Sequence, residues 1–139
     1  MDAAGSRQVA PLSLNERPIH LGLGAVASPQ PVFTGMAWYA DYIARTAADG
    51  DEGRLVSFYE FTCDWDSWEM HPAGDEVVVC VAGAMVVTQE LPDGTRQQVA
   101  LGPGDYAINP PGTWHTADIA AQATVLFITA GSGTQHRPR

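Results

Sequence analysis

From Arg54 to Ala130 the chain is cut into short runs of β-branched and aromatic residues by turns rich in Gly, Pro and Asp, and no other feature narrows its possible folds as much. The runs fall at 54–61, 66–71, 76–82, 84–91, 96–101, 105–108, 114–119 and 123–130, and the breaks read PAGD, AG, PDG, GPGD and NPPGT. Strands of this length, with no helical period between them, predict an all-β domain built as an antiparallel sandwich or barrel. LPDG predicts a tight hairpin, because Pro and Gly supply the special turn angles. Ahead of the strands, Met36, Trp38, Tyr39, Tyr42, Ile43 and Thr46 recur at spacings of three and four. That predicts a short amphipathic helix over 36–47, ended by the turn DGDEG. The sequence divides into an arm and extended segment over 1–31, a single barrel domain over 32–131 and a tail over 132–139. The first dozen residues read as a loose arm, and RPIHLGLGAV as an extended segment laid against the body.

Composition removes several function classes. With 139 residues the chain has the size of one domain. Its net charge is −9, with seven Arg and no Lys, so no basic stripe is available for nucleic acid or an anionic membrane. The missing Lys also excludes a lysine Schiff base. No apolar run is long enough to span a bilayer, and no basic, then apolar, leader is visible. Cys63 and Cys80 form no C-x-x-C and no disulfide framework, which fits a cytoplasmic setting, with Cys80 as a small buried hydrophobe. There is no G-x-S-x-G, no His beside either Cys, and GLG at 22–24 opens no helix, so neither a nucleophile elbow nor a phosphate loop is indicated.

The chemistry concentrates in two stretches. In WEMHPAGDEVVVCVAG (68–83), Glu69 and His71 are two residues apart and share one strand face. PAGD turns the chain, and Glu76 opens the next strand facing the same space. Two carboxylates in an apolar interior are costly unless a cation joins them, and one His with two carboxylates suits a divalent ion. Alternatively HPAGDE is a solvated turn with incidental charges. In GPGDYAINPPGTWH (102–115), Pro110, Pro111 and Gly112 form a stiff turn, and His115 opens the strand after it, as Glu76 does.

Together these stretches resemble the cupin superfamily. Its first motif is a Gly, five residues, H-x-H, three or four residues, Glu, six residues and Gly. It is matched by Cys63, Glu69-Met70-His71, Glu76 and Gly83. The second, G-x5-P-x-G-x2-H-x3-N, is matched by Gly104, Pro110, Gly112 and His115, with Ile119 in the Asn position. Cys63 and Ile119 depart from the pattern at positions that carry no metal in the family, and Glu69 replaces its first metal-binding His. The resemblance implies a double-stranded β-helix, or jelly-roll barrel, with a short N-terminal helix. It also implies one divalent ion (Zn, Fe, Mn or Ni) held by Glu69, His71, Glu76 and His115. Two carboxylates nearly neutralise such an ion and favour harder metals. Glu69 has a second reading, as a general base beside a metal held by the other three.

The family further implies a small-molecule ligand and a homodimer, with 17–33 as the exchanged or edge-covering strand. The expected chemistry is Lewis-acid or proton-transfer action on a small organic molecule, a carbohydrate-like one among the candidates. The alternatives are a ligand-binding or sensing protein with a structural metal, and an Fe-dependent dioxygenase. Trp65, Trp68 and Trp114 either line a pocket or simply pack. His136, Arg137 and Arg139 either fold back as cations or stay free.

Overall fold

The computed structural model describes residues 10–139. The arm over 1–9 lies outside the described residues. Two short strands, β1 (Ile19–Gly22) and β2 (Val26–Pro29), come first, followed by helix α1 (Ala37–Arg45) and a 3-10 turn (Ala47–Glu52). Nine strands follow: β3 (Arg54–Phe61), β4 (Ser67–Met70), β5 (Glu76–Gly83), β6 (Met85–Glu90), β7 (Arg96–Leu101), β8 (Tyr106–Asn109), β9 (Trp114–Asp118), β10 (Ala123–Thr129) and β11 (Gln135–Pro138).

They form two antiparallel sheets, six-stranded β2-β1-β3-β10-β5-β8 and five-stranded β11-β4-β9-β6-β7. Consecutive strands mostly fall in different sheets or apart within one, as a jelly roll requires. The eight expected strands are all present, and the helix is present with its ends trimmed.

Alternation builds the core. β5 turns Glu76, Val78 and Cys80 inward and leaves Val77 and Val79 half-buried on the other face. Val78 and Cys80 meet Met85, Val87, Leu101, Val125 and Phe127 between the sheets. Each large side chain buried this way stabilises the fold by roughly 1.5–3 kcal/mol. Gly83 ends β5 with φ +77°, and a Cβ there would lie 2.0 Å from the Gln122 carbonyl oxygen. Its place in the first motif thus reflects a close backbone approach that no side chain allows.

α1 buries Trp38 and Tyr42 against Leu55, with Phe33 and Tyr39 alongside. A hydrogen-bonded chain ties this end together. His20 Nε2 lies 2.6 Å from Asp49 Oδ2 and its Nδ1 2.7 Å from the Tyr42 hydroxyl.

Both flanks of the barrel belong to its sheets. β1 pairs with β3 and covers that edge, leaving β2 outermost. Residues 135–138 form no free tail: β11 pairs with β4 along its whole length. No helix among the described residues is long and apolar enough to cross a membrane.

Candidate metal centre

The cluster arises from strand register. β4 runs between β9 and β11, so Glu69 stands opposite His115 on one side and His136 on the other. His71 follows β4 directly, and Glu76 opens β5 after the turn. Glu69, His71, Glu76 and His115 each bring a donor atom within 4.8 Å of the others, and all but Glu69 are buried. The Nε2 atoms of His71 and His115 each lie 3.1 Å from a Glu76 oxygen. Glu69 Oε1 is 3.7 Å from His71 Nε2 and 3.8 Å from His115 Nε2. Neighbouring donors about 2.1 Å from one shared ion stand about 3 Å apart, so these spacings suit a divalent metal.

The imidazoles are oriented for that role. The Thr134 hydroxyl gives its proton to the Gly131 carbonyl at 2.8 Å, so it accepts from His71 Nδ1, also at 2.8 Å. His115 Nδ1 faces the Thr113 carbonyl at 3.4 Å, an acceptor only. In its neutral form each ring therefore carries its proton on Nδ1 and turns Nε2 toward Glu76, where a cation can bind. Despite the 3.1 Å contacts, neither Nε2 meets a partner with hydrogen-bond geometry; both are buried and unpaired. Two buried imidazole nitrogens converging on a carboxylate need a positive charge between them, which a proton or a bound metal cation supplies.

Glu76 is held from behind. Asn109 Nδ2 donates to Oε1 at 3.1 Å and Thr129 Oγ1 to Oε2 at 2.7 Å. The Asn109 carbonyl accepts from Gln89 at 2.7 Å, and the Gln89 carbonyl accepts from Gln97 at 2.8 Å. This relay of amides has one direction, because its last member, the carboxylate, only accepts. Burial pushes the Glu76 carboxyl up, but the imidazoles of His115 and His71 outweigh it and hold the group below the usual carboxylate range. Burial pulls His71 down, and the carboxylates of Glu76 and Glu69 more than reverse it, leaving the ring above its ordinary value.

In front of the cluster lies a cavity of about 920 Å³, walled by Phe33, Tyr39, Tyr59, Phe61, Trp65 and Phe127 among others. Of the three tryptophans near the motif turns, only Trp65 lines it. Trp68 and Trp114 sit on the opposite face of their sheet, where the Arg137 guanidinium stacks 5.1 Å and 4.5 Å from their ring centres. The C-terminal residues divide similarly. Arg137 pairs with Glu90 at 2.8 Å and Arg139 with Asp118 at 2.7 Å, both away from the cavity. His136 alone faces it, with Nε2 3.2 Å from Glu69 Oε2. Sequence reasoning missed Thr134, Thr129, Asn109, Gln89 and the Tyr39–Tyr59 pair. Of these only Asn109, in the stiff NPPGT turn, carried any local hint, whereas His136 was already a candidate cation.

Residues 64–131 match the family model described as Cupin domain. No curated protein sequence matches the chain. Among solved structures, peruvianin-I, a cysteine peptidase from Thevetia peruviana latex, superposes with TM-score 0.50 at 20% identity over 59% of this chain and 54% of its own. Oxalate decarboxylase from Bacillus subtilis, a protein with Mn(II) centres, superposes with TM-score 0.50 at 16% identity over 62% of this chain and 23% of its own. The chain thus spans about half of one relative and a quarter of the other, and the likeness concerns the fold.

Proposed function

Starting from a chain that carries a cupin domain over residues 64–131, we propose that Glu69, His71, Glu76 and His115 hold one divalent metal ion and serve proton-transfer chemistry on a small organic molecule in the adjoining cavity. The observation that carries this reading is the pair of buried Nε2 atoms, oriented by Thr134 and Thr113, that converge on Glu76 without hydrogen-bond geometry. When bound, the ion supplies Lewis acidity, polarising an oxygen of the ligand. With two carboxylates and two imidazoles the donor set favours harder ions such as Mn(II) or Fe(II), while Zn(II) and Ni(II) also fit it.

The residues divide the remaining work. His71, Glu76 and His115 are buried and held by hydrogen bonds, which makes them positioning ligands. Glu69 differs: its side chain is 30% exposed, one oxygen points into the cluster and the other toward His136. It is the group placed to ligate and also to accept a proton from a ligand in the cavity. His136 orients it by taking up its outer oxygen. The aromatic walls give the ligand an apolar surround, in which charge interactions are stronger than in water.

The test is elemental analysis of protein prepared without affinity-metal exposure, beside His71→Ala and His115→Ala. About one metal per chain in the native protein and at least tenfold less in both variants is expected. Equal content in all three would overturn the assignment. Metal-loaded protein that binds ligands without turnover would favour a binding or sensing role. Turnover that consumes oxygen only with iron would favour a dioxygenase.

A further inference from the structure

The walls of the cavity specify its ligand more narrowly than the metal ligands do. From α1 to the cluster, aromatic rings form an unbroken path. Phe33 lies edge-on to Tyr39 and Tyr59, with ring centres 5.4 and 5.9 Å away. Tyr59 meets Phe127 at 5.9 Å, Phe127 meets Trp65 at 6.1 Å, and Trp65 meets His115 at 6.2 Å. Edge-to-face packing, the arrangement of all these pairs but the tilted Phe127–Trp65, leaves flat ring faces and polarised edges for a further ring to join.

The polar groups, by contrast, are few and largely committed. Thr129 is spent on Glu76 and Thr134 on His71 and Gly131. Asp64 accepts from the Ile119 amide, and Cys63, Asp64 and Asp66 are exposed at the rim. A buried polyol needs a partner for nearly every hydroxyl, and each one left unpaired costs about 1–3 kcal/mol. A carbohydrate-like ligand, one of the expectations from sequence, is therefore a poor fit.

Away from the cluster, the cavity lining also holds the buried, unpartnered Trp65 Nε1 donor, the buried Ser57 and a hydrogen-bonded tyrosine pair. The hydroxyls of Tyr39 on α1 and Tyr59 on β3 hydrogen-bond to each other, and both residues line the cavity. Two phenols carry two protons. One is used inside the pair, and the other has no acceptor among the described residues. Burial raises both phenols above the ordinary value, so both stay protonated and the pair remains a donor. The pair therefore presents a single O–H to whatever fills the cavity.

We propose that the site takes a flat aromatic molecule with two oxygen functions, one directed at the Glu69–His71–Glu76–His115 cluster and one accepting the hydrogen bond of the Tyr39–Tyr59 pair. The first half of this rests on the metal reading above; the ring and the tyrosine contact do not.

The geometry makes an unusual demand on the variants. Removing either hydroxyl alone frees the other from its partner, so each single Phe variant still offers one donor. Only the double variant offers none.

The experiment is calorimetric titration of metal-loaded and EDTA-treated protein, with metal content measured on the same samples. The probes are 4-acetylbenzoate and its biphenyl homologue, 4-acetylcyclohexanecarboxylate, benzoate and glucuronate. One of the two aromatic keto acids should bind at least about tenfold tighter than the saturated analogue and glucuronate. Tyr39→Phe and Tyr59→Phe should each stay within about threefold of wild type, and Tyr39→Phe/Tyr59→Phe should lose about tenfold for the keto acid and nothing for benzoate.

Equal binding of the saturated or polyol probe would overturn the ring assignment, with or without the variants. Unchanged keto-acid affinity in the double variant would overturn the tyrosine contact. Ring preference in protein that never takes up metal would keep the ligand class and remove the metal reading. Metal-loaded protein with no ring preference would do the reverse.

Discussion

Glu76→Gln tests the centre most directly, because four neighbours converge on that one carboxylate. Asn109 and Thr129 donate to it, and His71 and His115 each stand 3.1 Å away. A hydrogen bond to a charged acceptor contributes roughly 1.5–3 kcal/mol, and one to a neutral acceptor roughly 0.5–1.5. Gln keeps the shape but converts one oxygen to an amide. Thr129 can rotate and accept from that amide, while Asn109 is fixed by Gln89 and needs the remaining oxygen. Two charge-assisted bonds thus become two neutral ones, a loss of about 2–3 kcal/mol in metal-free protein. For a domain of this size that lowers the melting temperature by about 10 °C. Metal affinity should fall by more than about 100-fold, since even the outer partners of metal ligands contribute 10–100-fold.

The pH dependence has a definite sign. Glu76 is depressed in the fold, so its contribution is present above the ordinary value of 4.5 and is lost as pH falls through the depressed one. His71 is raised, so its contribution is present below the ordinary value of 6.5 and is lost as pH rises through the raised one. EDTA-treated wild type should therefore be most stable between these two ordinary values, with a shoulder on each side that the Gln variant lacks. Urea melts of both proteins from about pH 3 to about pH 9 read this out. A variant that melts within about 2 °C of wild type near pH 5.5 and keeps its metal would refute the reasoning.

Four further outcomes are expected. Glu69→His should retain metal with preference moved toward Ni and Zn. Glu69→Gln should lose metal if this carboxylate ligates, and lose only turnover if it acts as a base, both read by elemental analysis and activity. Burial pushes the Tyr42 phenol up to about 12 from 10, so wild-type stability should drop between those values as pH rises. Tyr42→Phe should show a smaller drop, the raised Tyr39 and Tyr59 phenols keeping the rest, while losing about 1 kcal/mol at neutral pH with the His20 hydrogen bond. A homodimer is expected, with Val81, Tyr106 and Ile108 exposed on the outer face at the β5–β8 edge as its natural seat. Light scattering should give twice the 14.8 kDa chain mass, and Tyr106→Glu/Ile108→Glu should give the monomer; a monomeric wild type across micromolar concentrations would count against pairing.

What could be read from the sequence was local. Strand runs, the LPDG hairpin and the four candidate ligands all depend on spacings of a few residues, and periodicity carries that information. Glu69 and His71 share a strand face, and Glu76 and His115 each open a strand after a stiff turn. What could not be read depends on which strands become neighbours. Nothing near residue 135 says that β11 will pair with β4, because GTQHRPR is short, polar and ends in Pro and Arg. Its strand character comes from the open edge of β4 that it covers. Tyr39 and Tyr59 are likewise twenty positions apart on a helix and a strand, and no local pattern joins them.

The pairing of β11 also explains why a Glu at position 69 can be tolerated. Along the inner face of the second sheet, one row reads His136, Glu69, His115 and Gln89 across β11, β4, β9 and β6. A carboxylate between two imidazoles has a partner for each oxygen: His136 takes Oε2, and Oε1 is left to the cluster. A His at 69 would set three imidazoles side by side in the row and leave His136 without its carboxylate partner. The turn that leads into the same strand brings Thr134 to His71 Nδ1. The last strand and the turn before it therefore fix both the carboxylate that distinguishes the cluster and the tautomer of one imidazole. The orientation of the centre depends on a segment outside the motifs that supply its ligands.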